Sequence, residues 1–352
     1  MKICLLGDTH FGARNDSLIF HEHFRKFYTE VFFPYLKENN ILHVIQMGDV
    51  FDRRKYINFA SLSHAREYFF EPLNATFETN MLVGNHDTYH KNTNDVNSPN
   101  LLLETYHSIN VVNSPLEVDY EDCKMLLVPW ICPENEKEIT EAIKNTDAKV
   151  ILGHFELKGF EMYRGSVCED GMETSIFGDK IVLSGHFHHK SNVGKINYLG
   201  TPYEMTWSDY GDQKGFHVFD TDTMEMEFVP NPFVMFNKIH YDETKLDSVD
   251  DITNEDFSHV KGTYVKVIVT NRENPVWFDV LIDKLEQAGA ADIQVVEDHF
   301  NLGLEGDEEI IDQAEDTLTI MSKYVDQLNV QTDRNRLDSL LRNLYHDAVN
   351  ME

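Results

Sequence analysis

Short apolar runs alternate with helically spaced ones over the first 235 residues, the rhythm of an α/β chain. KICLL, HVIQM, NMLV, MLLVP, KVIL, KIVL and INYL read as strands. Between them, residues 18–38 carry Phe20, Phe24, Phe27 and Val31 at helical spacing, and residues 59–73 repeat the pattern. The pattern changes near 230–240, where VPNPFVMFNKIHY brings two prolines and marks a domain boundary. Beyond it, TYVKVIVT predicts a strand, PVWFDVLIDKLEQAG a helix closed by glycine, and DIQVVED another strand, together a small βαβ-like unit. Residues 297–316 hold nine acidic and no basic residues, which predicts a solvated linker running into a helix start. Ile311, Ala314, Leu318, Met321, Val325 and Leu328 then recur at alternating spacings of three and four, an amphipathic, heptad-like helix. After NVQTD, with Thr332 or Asp333 as N-cap, Leu337, Leu340, Leu341 and Leu344 fall on one face of a final helix.

Composition narrows the class. The 352 residues are 41% hydrophobic and 26% charged, ordinary for a soluble globular protein of more than one domain. No apolar run approaches the ~18 residues of a membrane span. The apolar stretch in MKICLLGDTH is too short for a signal-peptide core, so a cytoplasmic protein without membrane association is expected. Cys4, Cys123, Cys132 and Cys168 are scattered with no C-x-x-C pair, which argues for reduced thiols and against a zinc knuckle. The formal net charge of −31 counts against a free-standing protein that coats nucleic acid. Residues 236–352 are especially poor in cations, with 10 basic against 26 acidic residues. A site that holds divalent cations would reverse the local sign.

Chemistry enters at five strand ends. LLGDTH presents Asp8 and His10, and QMGDVFD presents Asp49 and Asp52. LVGNHD presents Asn85, His86 and Asp87, ILGH presents His154, and LSGHFH presents His186 and His188. In each a glycine follows the strand and permits a sharp turn. The carboxyl ends of strands in open α/β sheets border the ligand crevice, so side chains distant in sequence converge there. Asp, His and Asn supply N and O donors that suit Mn, Fe or Zn better than Ca. One such element is an ordinary turn. Five in succession, each behind a strand, predict a metal site. Asp87 reads as a turn or helix cap and His189 as a surface residue. Arg53, Arg54 and Lys55 follow GDVFD directly and are candidates for phosphate contacts, with Lys158, Arg164 and Lys190 weaker ones.

The order GD-x-H, GD-x-x-D, GNHD, GH, GH-x-H resembles the calcineurin-like metallophosphoesterase superfamily. Together with LVPW at 127–130, GHFELKGF at 153–160, and YLGTPYEMTWSD and KGFHVFD between 198 and 220, the chain is most similar to SbcD-type DNA nuclease subunits, including those of large tailed phages. The resemblance covers nearly the whole chain. It implies a metallophosphoesterase four-layer α/β/β/α sandwich over residues 1–235 and a small α+β capping domain over 236–300. Over 301–352 it implies an acidic linker and helices, Leu337, Leu340, Leu341 and Leu344 among them, that bind an SbcC-like SMC-type ATPase.

The same resemblance implies two divalent ions, manganese first and magnesium as the alternative. Asp8, His10, Asp49 and His188 would hold one, and Asp49, Asn85, His154 and His186 the other. His186 and His188, two residues apart, would project to one side with Phe187 turned into the fold. His86 would protonate or stabilise the leaving oxygen, and Asp52 would orient it through its carboxylate. The implied activity is exonuclease and endonuclease action on DNA ends in recombination, repair and replication, by a homodimer within a heterotetramer. Two alternatives stand beside it: a phosphatase or small-molecule phosphodiesterase on the same scaffold, and a scaffold that lost catalysis and only recruits the ATPase. The cap and terminal helices favour the nuclease over the first, and the complete ligand set counts against the second.

Overall fold

The apolar runs of the first 235 residues form two six-stranded sheets in the computed structural model, which describes residues 1–163, 166–297, 336, 337, 340 and 341. Across the first sheet the order is Glu225–Pro230, Gly215–Asp220, Lys2–Leu6, His43–Gln46, Glu78–Leu82 and Ile109–Val112, the last four parallel. Across the second it is Ser191–Val193, Ile196–Tyr198, Ile181–Ser184, Val150–Gly153, Cys123–Val128 and Leu116–Tyr120, the middle four parallel. Parallel strands covered on both faces appear in sequence as continuous apolar runs. All those read from the sequence are present. Five strands of these sheets were not read from the sequence: Ile109–Val112, Ser191–Val193 and Gly215–Asp220, together with Leu116–Tyr120 and Glu225–Pro230, along which polar and apolar residues alternate with one face exposed.

The inner faces of the sheets meet in one buried cluster, with Ile3, Leu5, Ile45 and Leu82 from the first and Met125, Leu127, Val150, Leu152 and Leu183 from the second. On the outer face of the second sheet, Ile139 and Ile143 of helix Glu136–Asn145 pack with Leu126, Ile151 and Val182. The outer face of the first sheet is covered by aromatic helices. Leu18–Phe27 continues through a π-helical segment, Tyr28–Phe32, into Phe33–Glu38, and Phe27, Phe32 and Tyr35 pack on Phe216. The result is the four-layer α/β/β/α sandwich.

The chain divides into two compact units, Met1–Met235 and Phe236–Glu352. The second contains a three-stranded parallel sheet in the order Phe236–Asp242, Tyr264–Asn271, Asp292–Glu297. Helix Pro275–Ala288 packs Phe278, Leu281 and Leu285 on Val265, Val267 and Val269, and ends at Gly289 in the left-handed region (φ 88°). The first of these strands was missed because Asn237, Lys238 and His240 interrupt FNKIHYD, in which only Phe236 and Tyr241 are buried.

The acidic linker beyond residue 297, the heptad-like helix, Leu344 and Arg164 lie outside the described residues. Leu337, Leu340 and Leu341 are helical, and Leu340 is 54% exposed. All four cysteines are free and buried. Among the described residues no helix is long and apolar enough to cross a membrane.

Candidate metal centre

Three neighbouring parallel strands of the first sheet end beside one another and deliver Asp8 with His10, Asp49, and Asn85 with His86. Two neighbouring strands of the second sheet deliver His154, and His186 with His188. The side chains gather into two groups able to hold a metal ion, Asp8–His10–His188 and Asp49–His154–His186, with ligand atoms in each within 4.8 Å of one another. Of the five strand-end glycines only Gly48 is left-handed, at φ 99°. Gly84 is needed for a different reason: a Cβ there would stand 2.2 Å from both N and Oδ1 of Asp49. The left-handed bends fall instead on the candidate ligands His10 (φ 42°), Asp49 (φ 51°) and His186 (φ 83°), a strain that the surrounding fold must sustain.

Hydrogen bonds fix which ring atoms face inward. His154 Nδ1 donates to the Met47 carbonyl at 2.8 Å. A carbonyl only accepts, so Nδ1 carries a proton, and whenever the ring is neutral the Nε2 lone pair faces Asn85 Oδ1 at 2.9 Å and Asp49 Oδ2 at 3.3 Å. Acceptors therefore converge, an arrangement satisfied by a shared proton or by a cation. His186 Nδ1 lies 2.9 Å from the same Asn85 oxygen. In the other group, His10 Nε2 and His188 Nε2 face each other at 3.1 Å. Asp49 Oδ2 is 3.7 Å from His10 Nε2, so a single carboxylate oxygen addresses both groups. Its other oxygen accepts from the His86 N–H at 2.7 Å. Both Asp8 oxygens accept from the His186 N–H, at 3.2 and 2.9 Å. This buried set of N and O donors fits divalent cations.

The electrostatics show the same convergence. Burial pushes Asp8 up from its ordinary value. Burial alone would lower His10, but Asp52, Asp49 and Asp8 overcome it and push the ring up to about 9. His154 likewise rises to about 9 against burial, through Asp49 and Asp8. His188 is pushed down by burial and by the neighbouring His10. Asp49 lies well below the usual carboxylate range, because His154 and His86 outweigh its burial. The buried carboxylates thus favour the charged forms of His10 and His154, whereas burial favours the neutral form of His188.

Around this core several sequence expectations change. His86 Nδ1 bonds to the main-chain carbonyl of Asp52 at 2.6 Å, not to its carboxylate. The Asp52 N–H donates to the Phe11 carbonyl, and the Asp52 carboxylate stands 3.4 Å from His10 Nδ1. Asp87 caps turns: it accepts from the N–H groups of Gly84 and Val50, both at 2.9 Å, tying GNHD to GDVFD. Arg53 is folded back onto Asp16, Asn15 and Tyr56, whereas Arg54 is half-buried and Lys55 exposed. Lys158 pairs with Glu173 at 3.0 Å, and Lys190 lies over the Phe228 ring. His189 is no loose surface residue, since its Nδ1 is 2.9 Å from Asp212 Oδ2. Phe187 is buried and stacks on Tyr198. Trp130 was not singled out, yet its ring lies 5.1 Å from His186 and 6.0 Å from His154. Its one signal was the tryptophan that closes the apolar run in LVPW.

Residues 1–190 match the calcineurin-like phosphoesterase family. Over 357 aligned residues, 99% of this chain and 100% of the relative, the chain is 34% identical to exonuclease subunit 1 of Enterobacteria phage T4. The chain therefore belongs to the calcineurin-like phosphoesterase family, whose members use divalent metals. A glutamine-dependent NAD+ synthetase from Acinetobacter baumannii aligns over 98% of this chain and 72% of its own at 8% identity, but a TM-score of 0.27 carries no argument.

Proposed function

We propose that the chain is a metal-dependent DNA nuclease, acting on DNA ends as one subunit of a complex with an SMC-like ATPase. The observation that carries this reading is the Asp49 carboxylate, one oxygen of which faces two separate donor groups. Asp8, His10, Asp49 and His188 would hold one divalent ion, and Asp49, Asn85, His154 and His186 the other, with manganese the favoured metal. Such ions supply charge neutralisation at phosphorus and acidify water.

The chain's own groups do the rest. The Asp52 carbonyl holds the His86 ring by Nδ1, which leaves Nε2 as the atom that exchanges a proton with the leaving oxygen. The bond from the His86 N–H to Asp49 keeps that ring in register with the site. The neighbouring His10, 4.9 Å away edge to face, limits its rotation. The relative's name, exonuclease subunit, supports both the reaction and the need for a partner. A basic partner surface would also relieve the difficulty of a chain with net charge −31 meeting DNA. Leu337, Leu340, Leu341 and Leu344 are the partner contacts in this reading, and the cytoplasm is its setting.

The test is cleavage of an end-labelled duplex with manganese, beside bis-p-nitrophenyl phosphate, by wild type and His188→Ala. Both substrates should be cut by wild type and neither by the variant. If the small ester is cut while DNA stays intact, even with the ATPase added, the chain is a small-molecule phosphodiesterase instead.

A further inference from the structure

The loop that carries His188 has an anchor away from any candidate ligand atom. Lys214 and Asp209 form an ion pair of 2.6 Å with side chains only 4% and 6% exposed. The same ammonium donates to the main-chain carbonyl of His188 at 2.9 Å and lies 3.7 Å from Asp212 Oδ2. Asp212 in turn contacts His189 Nδ1, the next residue of the loop. Asp209 is itself fixed, its Oδ2 accepting from the N–H groups of Met205 and Thr206 at 2.9 Å each.

Burying an ion pair is a poor way to gain stability, because desolvation offsets most of the attraction and an apolar pair often serves as well. An apolar residue could not donate to the His188 carbonyl. The position of Lys214 gives that bond its meaning. Lys214 immediately precedes strand Gly215–Asp220, which pairs with Lys2–Leu6, the strand that leads into Asp8 and His10. His188 follows Ile181–Ser184 of the other sheet. The ammonium therefore ties the one second-sheet member of the Asp8–His10–His188 group to the strand beside its two first-sheet members. The other group has a different support, since His154 is held directly by the Met47 carbonyl.

We propose that Lys214, braced by Asp209, is a positioning residue that sets the divalent-cation affinity of the Asp8–His10–His188 group selectively. The inference rests on the two-ion reading above. It is tested by calorimetric titration of the metal-free full-length protein with manganese, for wild type, Lys214→Met, Lys214→Arg and Asp209→Asn. His188→Ala identifies which binding event belongs to the group. In Lys214→Met that event should weaken on the order of 10–100-fold while the other stays within about twofold. Lys214→Arg, which keeps a donor and a charge, should recover most of the loss. Thermal unfolding in chelator separates a fold defect from a binding defect. If Lys214→Met does not fold, Asp209→Asn takes its place and should show the same one-sided loss. Equal weakening of both events, or no change in a folded variant, overturns the positioning role. A wild type that takes up no manganese overturns the two-ion reading, and this inference with it.

Discussion

The two candidate metal groups are built from the same residue types but supported differently. In Asp49–His154–His186, the inner support comes from regular structure and packing: the Met47 carbonyl holds His154, and Trp130 lies against both histidines. In Asp8–His10–His188, main-chain bonds from the Thr201 N–H to the His188 carbonyl (3.2 Å) and from the His10 N–H to the Asp49 carbonyl (3.0 Å) are joined by polar side chains: the Asp52 carboxylate lies beside His10 Nδ1, and the Lys214 ammonium donates to the His188 carbonyl. The first arrangement resists change because it is part of the sheet scaffold. The second adds charged side chains to its main-chain bonds, and so offers more positions at which a substitution can retune it.

Asp49 is where the comparison should break down, since it serves both groups. Asp49→Asn should lower phosphodiester hydrolysis on the order of 10³-fold or more and weaken both metals, read by rate and by bound manganese. Retention of one tight ion would show that the groups do not share this carboxylate. Gly84→Ala tests the close approach beneath it. A Cβ 2.2 Å from the Asp49 backbone nitrogen cannot be accommodated without moving the chain, so a loss of roughly 3 kcal/mol or more is expected in denaturant unfolding. A near-neutral result would mean the strand ends have room to spare.

Trp130→Ala sharpens the contrast between the groups. It should weaken one manganese event by about tenfold, the one that survives in His188→Ala, and leave the other unchanged. Equal effects on both would make the groups one mechanical unit.

The smallest effect concerns the support behind His10. His21 Nε2 donates to Ser61 Oγ at 2.7 Å, and Ser61 donates to Asp16 at 2.6 Å in the turn that follows His10. Burial, reinforced by His64, pushes His21 down to about 4 from 6.5. Between those values the unfolded chain binds a proton that the folded chain refuses. The contribution is therefore fully present above pH 6.5 and is lost as pH falls toward 4. His21→Gln should flatten the urea-midpoint profile between pH 6.5 and 4.5, and an unchanged slope would assign the acid sensitivity elsewhere.

How much of this was legible in the sequence depends on what kind of contact carried it. The central strands were readable because both their faces are buried, so KICLL and KIVL have no polar interruption. The gathering of Asp8, His10, Asp49, Asn85, His154, His186 and His188 was readable because the chemistry resides in the side chains themselves. Main-chain contacts leave no such trace. That Asp52 meets His86 through its carbonyl, while its carboxylate goes to His10, depends on which way one peptide faces. The role of the glycines was partly misread for a similar reason: Gly84 serves a close approach from a neighbouring strand, which no local pattern reveals. Asp209 and Lys214 close and open two segments that carry the family resemblance, YLGTPYEMTWSD and KGFHVFD, but nothing in the sequence shows that folding buries them as a pair.

The most direct test of the account is the manganese stoichiometry of the metal-free protein, measured by spin resonance for wild type, His188→Ala and His186→Ala. Two ions in wild type and one in each single variant, lost from different sites, is the predicted result. One ion in wild type, or two ions persisting in either variant, would contradict a centre built from two groups joined at Asp49.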